Sequence, residues 1–440
     1  MDMEPTLAPT GRLRIVVAGW EGGGNVPPIL AAIEALRARG HDVTLVADDS
    51  IAGDARAAGA HFVGWKRAPN RPDRSAASAP VRDGEWPDPF AVMAAWSERI
   101  FLGPCEAYAR DLIDVMTVRP ADVLVASDLL FGSVLAGEVA QIPTAVLAPN
   151  VSLSPLPGHP PFGPGFLPAA NAADHERDRA VAGAVEALWN GFLPHLNAAR
   201  TSLGLTPLAR VLDQMHAADL QLLATSAAFD FPVAGLPEDV RYIGPLLREP
   251  SWAAGSGVGF EAAAGPRVLV SFSTTEQGQG AVLARLVDAL GALPVEAVVT
   301  LGDMLEASDL PARPNVRVVA SASHEAILPR ATLAITHGGH GTTLRALRHG
   351  VPLLVLPMGR DQNENAARVE YHGAGLRLDP ASDAGTIAAA ICRLIDQPAF
   401  AQNARRIADA LHAEVPARER FVAEIEGLAA RRRARPTCAA

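Results

Sequence analysis

Cysteine is almost missing from this chain. Its 440 residues include three, Cys105, Cys392 and Cys438, with no C-x-x-C spacing. That excludes a disulfide framework and a cysteine zinc site, and it fits a reducing compartment. Aromatic residues make up 5% of the sequence, so the cores must rest on aliphatic packing. No apolar run approaches the roughly 18 residues of a bilayer span. Met1 to Thr10 show no positive flank before an apolar stretch, so no signal peptide is visible and a cytoplasmic location is expected. Positive charge is in deficit as well. A net charge of −10 argues against broad binding to nucleic acid or anionic membranes. The local exception, Arg431-Arg432-Arg433-Ala434-Arg435, reads as a solvated, frayed tail. Several chemical signatures are lacking too. Without G-x-x-x-x-G-K-[ST] a P-loop NTPase is excluded. Without D-x-D there is no acidic clamp for magnesium or manganese, and neither a G-x-S-x-G elbow nor a Ser-His-Asp signature occurs.

What is present is a repeated alternation of strand and helix. Leu13 to Ala18 is a short apolar run that ends at Gly19, before the glycine-rich turn Gly22-Gly23-Gly24. A helix signal follows, with Asn25 as its cap, Pro27 and Pro28 in the first turn, and Ile29, Ile33 and Leu36 on one face. Asp42 to Ala47 is the next strand, which completes a βαβ unit and implies a parallel sheet. Such units recur up to Thr144–Ala148. The stretch from Asn150 to Ala170 carries too much proline and glycine for regular structure, and it is expected to be a long, mobile surface loop. Around residues 241–259 the composition shifts to Pro, Gly, Ser and Trp, as in an interdomain linker. The pattern restarts at Arg267–Phe272, with further strands at Ala297–Leu301, Val316–Val319, Leu333–Thr336 and Pro352–Leu356. The expected architecture is therefore α/β, two Rossmann-like doubly wound domains facing a central cleft. The first spans 1–235, the linker 236–262 and the second 263–410, and 411–440 form a C-terminal helix packing back toward the first domain.

Two glycine-rich turns compete as phosphate cradles. The first, Gly22 to Pro27, with Asp48 and Asp49 after the next strand, vaguely resembles a dinucleotide fingerprint. Pro27 and Pro28, however, remove backbone donors that a pyrophosphate requires. The second, His337-Gly338-Gly339-His340-Gly341-Thr342-Thr343, joins a strand to a helix and keeps every N–H. Its glycines let the backbone approach an anion, its threonines add hydroxyls at the positive helix end, and His337 adds a ring donor that phosphate could charge. A nearby turn holds Asp361 and Gln362. Asp361 can be the cap of the following helix, with Glu364 closing a capping box. Equally, carboxylate and amide can bind a hydroxyl-rich ligand.

The segment Thr336 to Gly375, THGGHGTTLRALRHGVPLLVLPMGRDQNENAARVEYHGAG, resembles the donor-binding signature of family 1 glycosyltransferases of the GT-B fold. The first βαβ with Gly40–Ala47, the run VRYIGPLL and Val268–Thr275 extend the likeness, most closely toward bacterial enzymes of the UDP- or TDP-sugar, natural-product type. The resemblance implies an inverting transfer from a nucleotide-diphosphate sugar to a small-molecule acceptor, with no metal and no cofactor. It assigns the acceptor to the first domain and the donor to the second. His337, Gly338, Gly339, Gly341, Thr342 and Thr274 would hold the diphosphate, Asp361 and Gln362 the sugar hydroxyls, and the Ala322 backbone the nucleobase. Ser321 and Ser323 stand where relatives carry an aromatic residue and a proline. At the position of the usual His or Asp base stands Asn25, and Asp128 matches the carboxylate that orients that base. An amide has no useful basicity, so acidic acceptors are favoured. The alternative is a nucleotide-sugar-binding protein without transfer activity.

Overall fold

The computed structural model describes residues 11–86, 88–249, 257–261, 265–272, 277–302 and 307–434. Thr274, assigned to the diphosphate, lies outside them, as do Thr275, Cys438 and Arg435.

The first half is built on a seven-stranded sheet. Its strands are β1 (Arg14–Ala18), β2 (Asp42–Ala47), β3 (His61–Gly64), β4 (Val123–Ser127), β5 (Thr144–Ala148), β6 (Leu220–Leu223) and β7 (Val240–Tyr242). Their order is β3-β2-β1-β4-β5-β6-β7, and every neighbouring pair is parallel. The second half has six strands, β8 (Arg267–Ser271), β9 (Glu296–Thr300), β10 (Val316–Val319), β11 (Leu333–Thr336), β12 (Leu353–Val355) and β13 (Gly375–Arg377). These are ordered β10-β9-β8-β11-β12-β13, again all parallel. Strands such as VLVAS and TAVLA are buried on both faces, because helices cover both sides of a parallel sheet and leave no face for alternating polar residues. β7 extends the first sheet into the stretch read as linker.

Each sheet reverses its winding once, between β1 and β4 in the first and between β8 and β11 in the second. The loops beyond the carboxyl ends of those strands splay apart there and leave a crevice, the usual place for a ligand in such sheets. The last helix, Ala417–Ala434, inserts Phe421, Val422, Ile425 and Leu428 into the first half's core beside Leu30, Ile33 and Leu36. Helical structure therefore continues through Arg431 and Arg432, where a frayed tail was expected, and Arg432 donates to the Gln141 carbonyl at 3.2 Å. No helix among the described residues is long and apolar enough to cross a membrane.

Candidate functional site

At the winding reversal of the second sheet, β11 runs into His337-Gly338-Gly339 and then the helix His340–Arg348. Gly338 has φ +96°, and a Cβ there would stand 2.8 Å from Val355 Cγ1 and 3.0 Å from the Gln362 carbonyl oxygen. Only glycine meets both conditions. At Gly341 a Cβ would meet nothing within 4 Å, so the first turn of this helix, where backbone N–H groups lack intrahelical partners, is open to an approaching group. Thr342 lies half-buried beside it. Thr343 is fully buried and its Oγ1 has no partner, so only the first of the two threonines presents a hydroxyl at the helix end. His337 is buried and its ring bonds the Ser271 carbonyl. Desolvation, aided by the charge of Arg360, lowers its pKa to about 4. The ring on its own is therefore neutral at pH 7.

The second turn follows β12. Asp361 precedes the helix Gln362–Tyr371 but does not cap it with its side chain, and Glu364 closes no capping box. The Asp361 carboxylate instead accepts from Asn365 Nδ2 at 2.9 Å. Asn365 holds the two turns together: Nδ2 also donates to the Gly338 carbonyl at 2.8 Å, and Oδ1 faces His340 Nδ1 at 3.0 Å. Gln362 is buried, accepting from the Met358 N–H at 2.6 Å and donating to Gln277 Oε1 at 3.0 Å. The residues assigned to diphosphate and sugar, Thr274 apart, thus gather at the ends of adjacent strands β11 and β12. Ala322 lies beyond β10, three strands from β11, packed with Phe229, Leu269 and Val298. Ser323 caps the short helix His324–Ile327 through Oγ, 3.2 Å from the Ala326 N–H.

Facing these turns are the strand ends of the first sheet. Asn25 follows β1 but makes no side-chain cap. Its Oδ1 accepts from the Gly22 N–H at 3.1 Å and its Nδ2 donates to the Trp20 carbonyl at 2.9 Å. The amide is occupied in folding the glycine-rich turn, because those loop groups have no strand or helix partner. Beyond β4 sits Asp128, 7% exposed. Burial raises its pKa to about 7, and the charge of Asp361 pushes the same way, against hydrogen bonds from the Leu129 N–H and the Ser127 hydroxyl. Asp48 is buried too, raised to about 6 by desolvation, and its oxygens accept from the Glu21 and Arg71 N–H groups at 2.6 Å each. A ribose would find that carboxylate engaged, which removes the dinucleotide reading. Glu21 is held by Arg74 Nε at 2.7 Å and the Gly23 N–H at 2.9 Å. His159 belongs to the proline- and glycine-rich loop after β5. It is nearly buried, with Nε2 2.9 Å from the Phe231 carbonyl oxygen.

Across the crevice, Arg360 Nε donates to Asp83 Oδ2 at 2.9 Å, and its guanidinium lies 5.6 Å from the Trp96 ring centre. Trp96 Nε1 donates to the other Asp83 oxygen at 3.3 Å. None of Asp83, Trp96, Gln277 or Asn365 stood out as a site residue in the sequence. The one available signal was Asn365, a helical turn after Asp361. No group of three or more His, Cys, Asp or Glu among the described residues is arranged to hold a metal ion.

Residues 284–428 match the C-terminal domain of erythromycin biosynthesis protein CIII-like proteins. The chain is 28% identical over 407 residues to 4'-demethylrebeccamycin synthase of Lentzea aerocolonigenes, covering 90% of this chain and 95% of that one. The glycosyltransferase of kitacinnamycin superposes with a TM-score of 0.74 at 23% identity, over 95% of this chain and 99% of the other. The chain has the GT-B fold, and it is similar to glycosyltransferases of natural-product type. A further GT-B neighbour, glycosyltransferase VinC solved in complex with dTDP, has a TM-score of 0.66 at 19% identity over 95% and 100% of the two chains. In this chain the β11 and β12 turns face the strand ends of the first sheet, with Asp361 near enough to act on Asp128 and Arg360 bonded to Asp83.

Proposed function

We propose that this glycosyltransferase moves a sugar, with inversion, from a nucleoside-diphosphate donor to a small acceptor that gives up its proton easily. The observation that carries the donor half is the joining of the two turns by Asn365, which sets the open first turn of the helix His340–Arg348 beside Asp361 and Gln362. Backbone donors at that helix end suit the departing diphosphate, since they already point where negative charge develops. His337, Gly338, Gly339, Gly341 and Thr342 would hold the phosphates, with Thr274 opposite, Asp361 and Gln362 the sugar, and Ala322 the base. The dTDP bound by VinC makes a thymidine diphosphate sugar the first donor to try. The division of labour is acceptor on 1–235 and donor on 263–410, with no metal or cofactor taking part.

On the acceptor side, the amide of Asn25 is engaged in its own turn. It is too weak a base to take a proton, and its hydrogen bonds leave it poorly placed to orient an acceptor. Glu21 and His159 are likewise held by other partners. Asp128 remains as the carboxyl able to accept a proton near neutrality. Transfer from dTDP-glucose and UDP-glucose to a series of phenols tests the reading. Rate should rise as phenol pKa falls, and the product should carry the inverted anomeric configuration by NMR. Equal rates on simple alcohols and acidic phenols would refute the acceptor preference. Donor binding without hydrolysis or transfer across the series would favour a binding protein.

A further inference from the structure

The loop after β5, rich in proline and glycine, does not lie free on the surface. It crosses to the second half and ends on a carboxylate there. The N–H groups of Gly163 and Gly165 both donate to Glu364 Oε1, at 2.9 Å each. Gly165 has φ +67°, and a Cβ on it would stand 2.2 Å from the Asn363 carbonyl oxygen, so the loop touches the helix Gln362–Tyr371 backbone to backbone. Arg377 closes the contact by donating to the Gly165 carbonyl at 2.9 Å. The second Glu364 oxygen accepts from Arg368 at 3.1 Å, and Arg368 Nε reaches Asp230 of the first half at 2.7 Å. Glu364 is 2% exposed. A charge so deeply placed must be met by directed donors, and two of these come from the loop.

Its position in the sequence gives this contact a consequence. Glu364 is the third residue of its helix, two places after Gln362 and three after Asp361. A glutamate there commonly turns back onto the helix's own N-terminus; this one turns outward to the loop. We propose that Glu364 is a positioning residue for transfer, tying the acceptor-side loop to the donor-sugar turn so that the acceptor, and not water, meets the sugar. This rests on the donor and acceptor assignment proposed above. In transfer, the acceptor oxygen bonds the anomeric carbon as the bond to the diphosphate oxygen breaks. The electron pair leaves on the diphosphate, and the acceptor proton passes to Asp128 or solvent. With water in the acceptor's place the same bonds are exchanged, yielding free sugar, nucleoside diphosphate and the same proton.

The test uses the full chain with dTDP-glucose and the phenol that the wild type uses fastest. Glu364→Ala and Gly165→Ala, which breaks the contact from the loop side and leaves Arg368 paired, should speed amide exchange around 163–165 and leave dTDP affinity by calorimetry unchanged. Both should raise the ratio of hydrolysis to transfer by about tenfold to a hundredfold, the scale of a small misplacement in a reacting pair. Glu364→Gln, which keeps an oxygen for the two N–H groups, should recover most of the wild-type ratio. A wild-type ratio in both alanine variants overturns the role of Glu364, as does a loss of dTDP affinity as large as the loss of transfer. A wild-type chain that neither transfers nor hydrolyses overturns the underlying reading instead.

Discussion

Asp128 shows how one buried group links stability to chemistry. Its pKa in the folded chain, about 7, lies above the ordinary value of 3.8, so the folded state keeps a proton that the unfolded chain releases. The stability associated with that proton is full below about pH 4 and falls as pH rises toward 7. Above 7 the buried carboxylate is a constant cost. Asp128→Asn should therefore raise the melting temperature relative to wild type more at pH 8 than at pH 5. Wild-type transfer should increase with pH through about 7 as the carboxylate forms, and the asparagine variant should lose that rise. For weakly acidic acceptors the loss should be about 10²–10⁴ in rate, the usual worth of a positioned base. A variant that keeps the wild-type pH profile would show that another group takes the proton.

At the scale of the element, the β11 turn separates what the fold requires from what a ligand requires. Gly338→Ala forces a side chain into a left-handed backbone and against Val355 and Gln362. The backbone term alone costs about 1–2 kcal/mol, and displacing Gln362 should also weaken dTDP binding. Gly341→Ala meets no atom within 4 Å. Urea unfolding should show it unchanged or stabilised by up to about 1 kcal/mol, the helix preference of Ala over Gly. If the phosphates approach this turn, calorimetry should show dTDP binding weakened all the same. Wild-type affinity in Gly341→Ala would place the phosphates elsewhere.

For the whole molecule, the two halves are held by buried charge as well as by chain. Asp230 is 1% exposed and accepts from Arg368 at 2.7 Å and from the Tyr242 hydroxyl at 2.7 Å. Arg368 also pairs with Glu364 and lies 4.3 Å from the Phe231 ring centre. Asp230→Asn leaves Arg368 buried with one carboxylate where it had two. Removing one partner of such a pair commonly costs about 3–5 kcal/mol, so the urea midpoint should fall sharply. A loss below about 1 kcal/mol, the range of exposed pairs, would mean that water or Glu364 alone satisfies Arg368. The same network bears on separating the halves, since a second half alone would lose Asp230, the Ala224 carbonyl that faces His340, and the loop amides on Glu364.

Local pattern was enough for part of this. Runs of β-branched and aliphatic residues broken by glycine marked Thr144–Ala148, Val316–Val319 and Leu333–Thr336 to the residue, and with them the two-sheet architecture, because a strand buried on both faces has a composition of its own. Strands β3, β6, β7 and β13 were not marked; each earns its place by pairing with a neighbouring strand. The second glycine turn was legible because its backbone demands are local. The occupation of side chains was not. Asn25, Glu364 and His159 each have several possible partners along the sequence, and whether an amide caps a helix or folds a turn depends on which backbone N–H and carbonyl groups lie within hydrogen-bond reach. Sequence determined the residue types at the crevice; only the tertiary structure decided which of them are already engaged, because hydrogen bonds and desolvation act over distances that the order of residues does not encode.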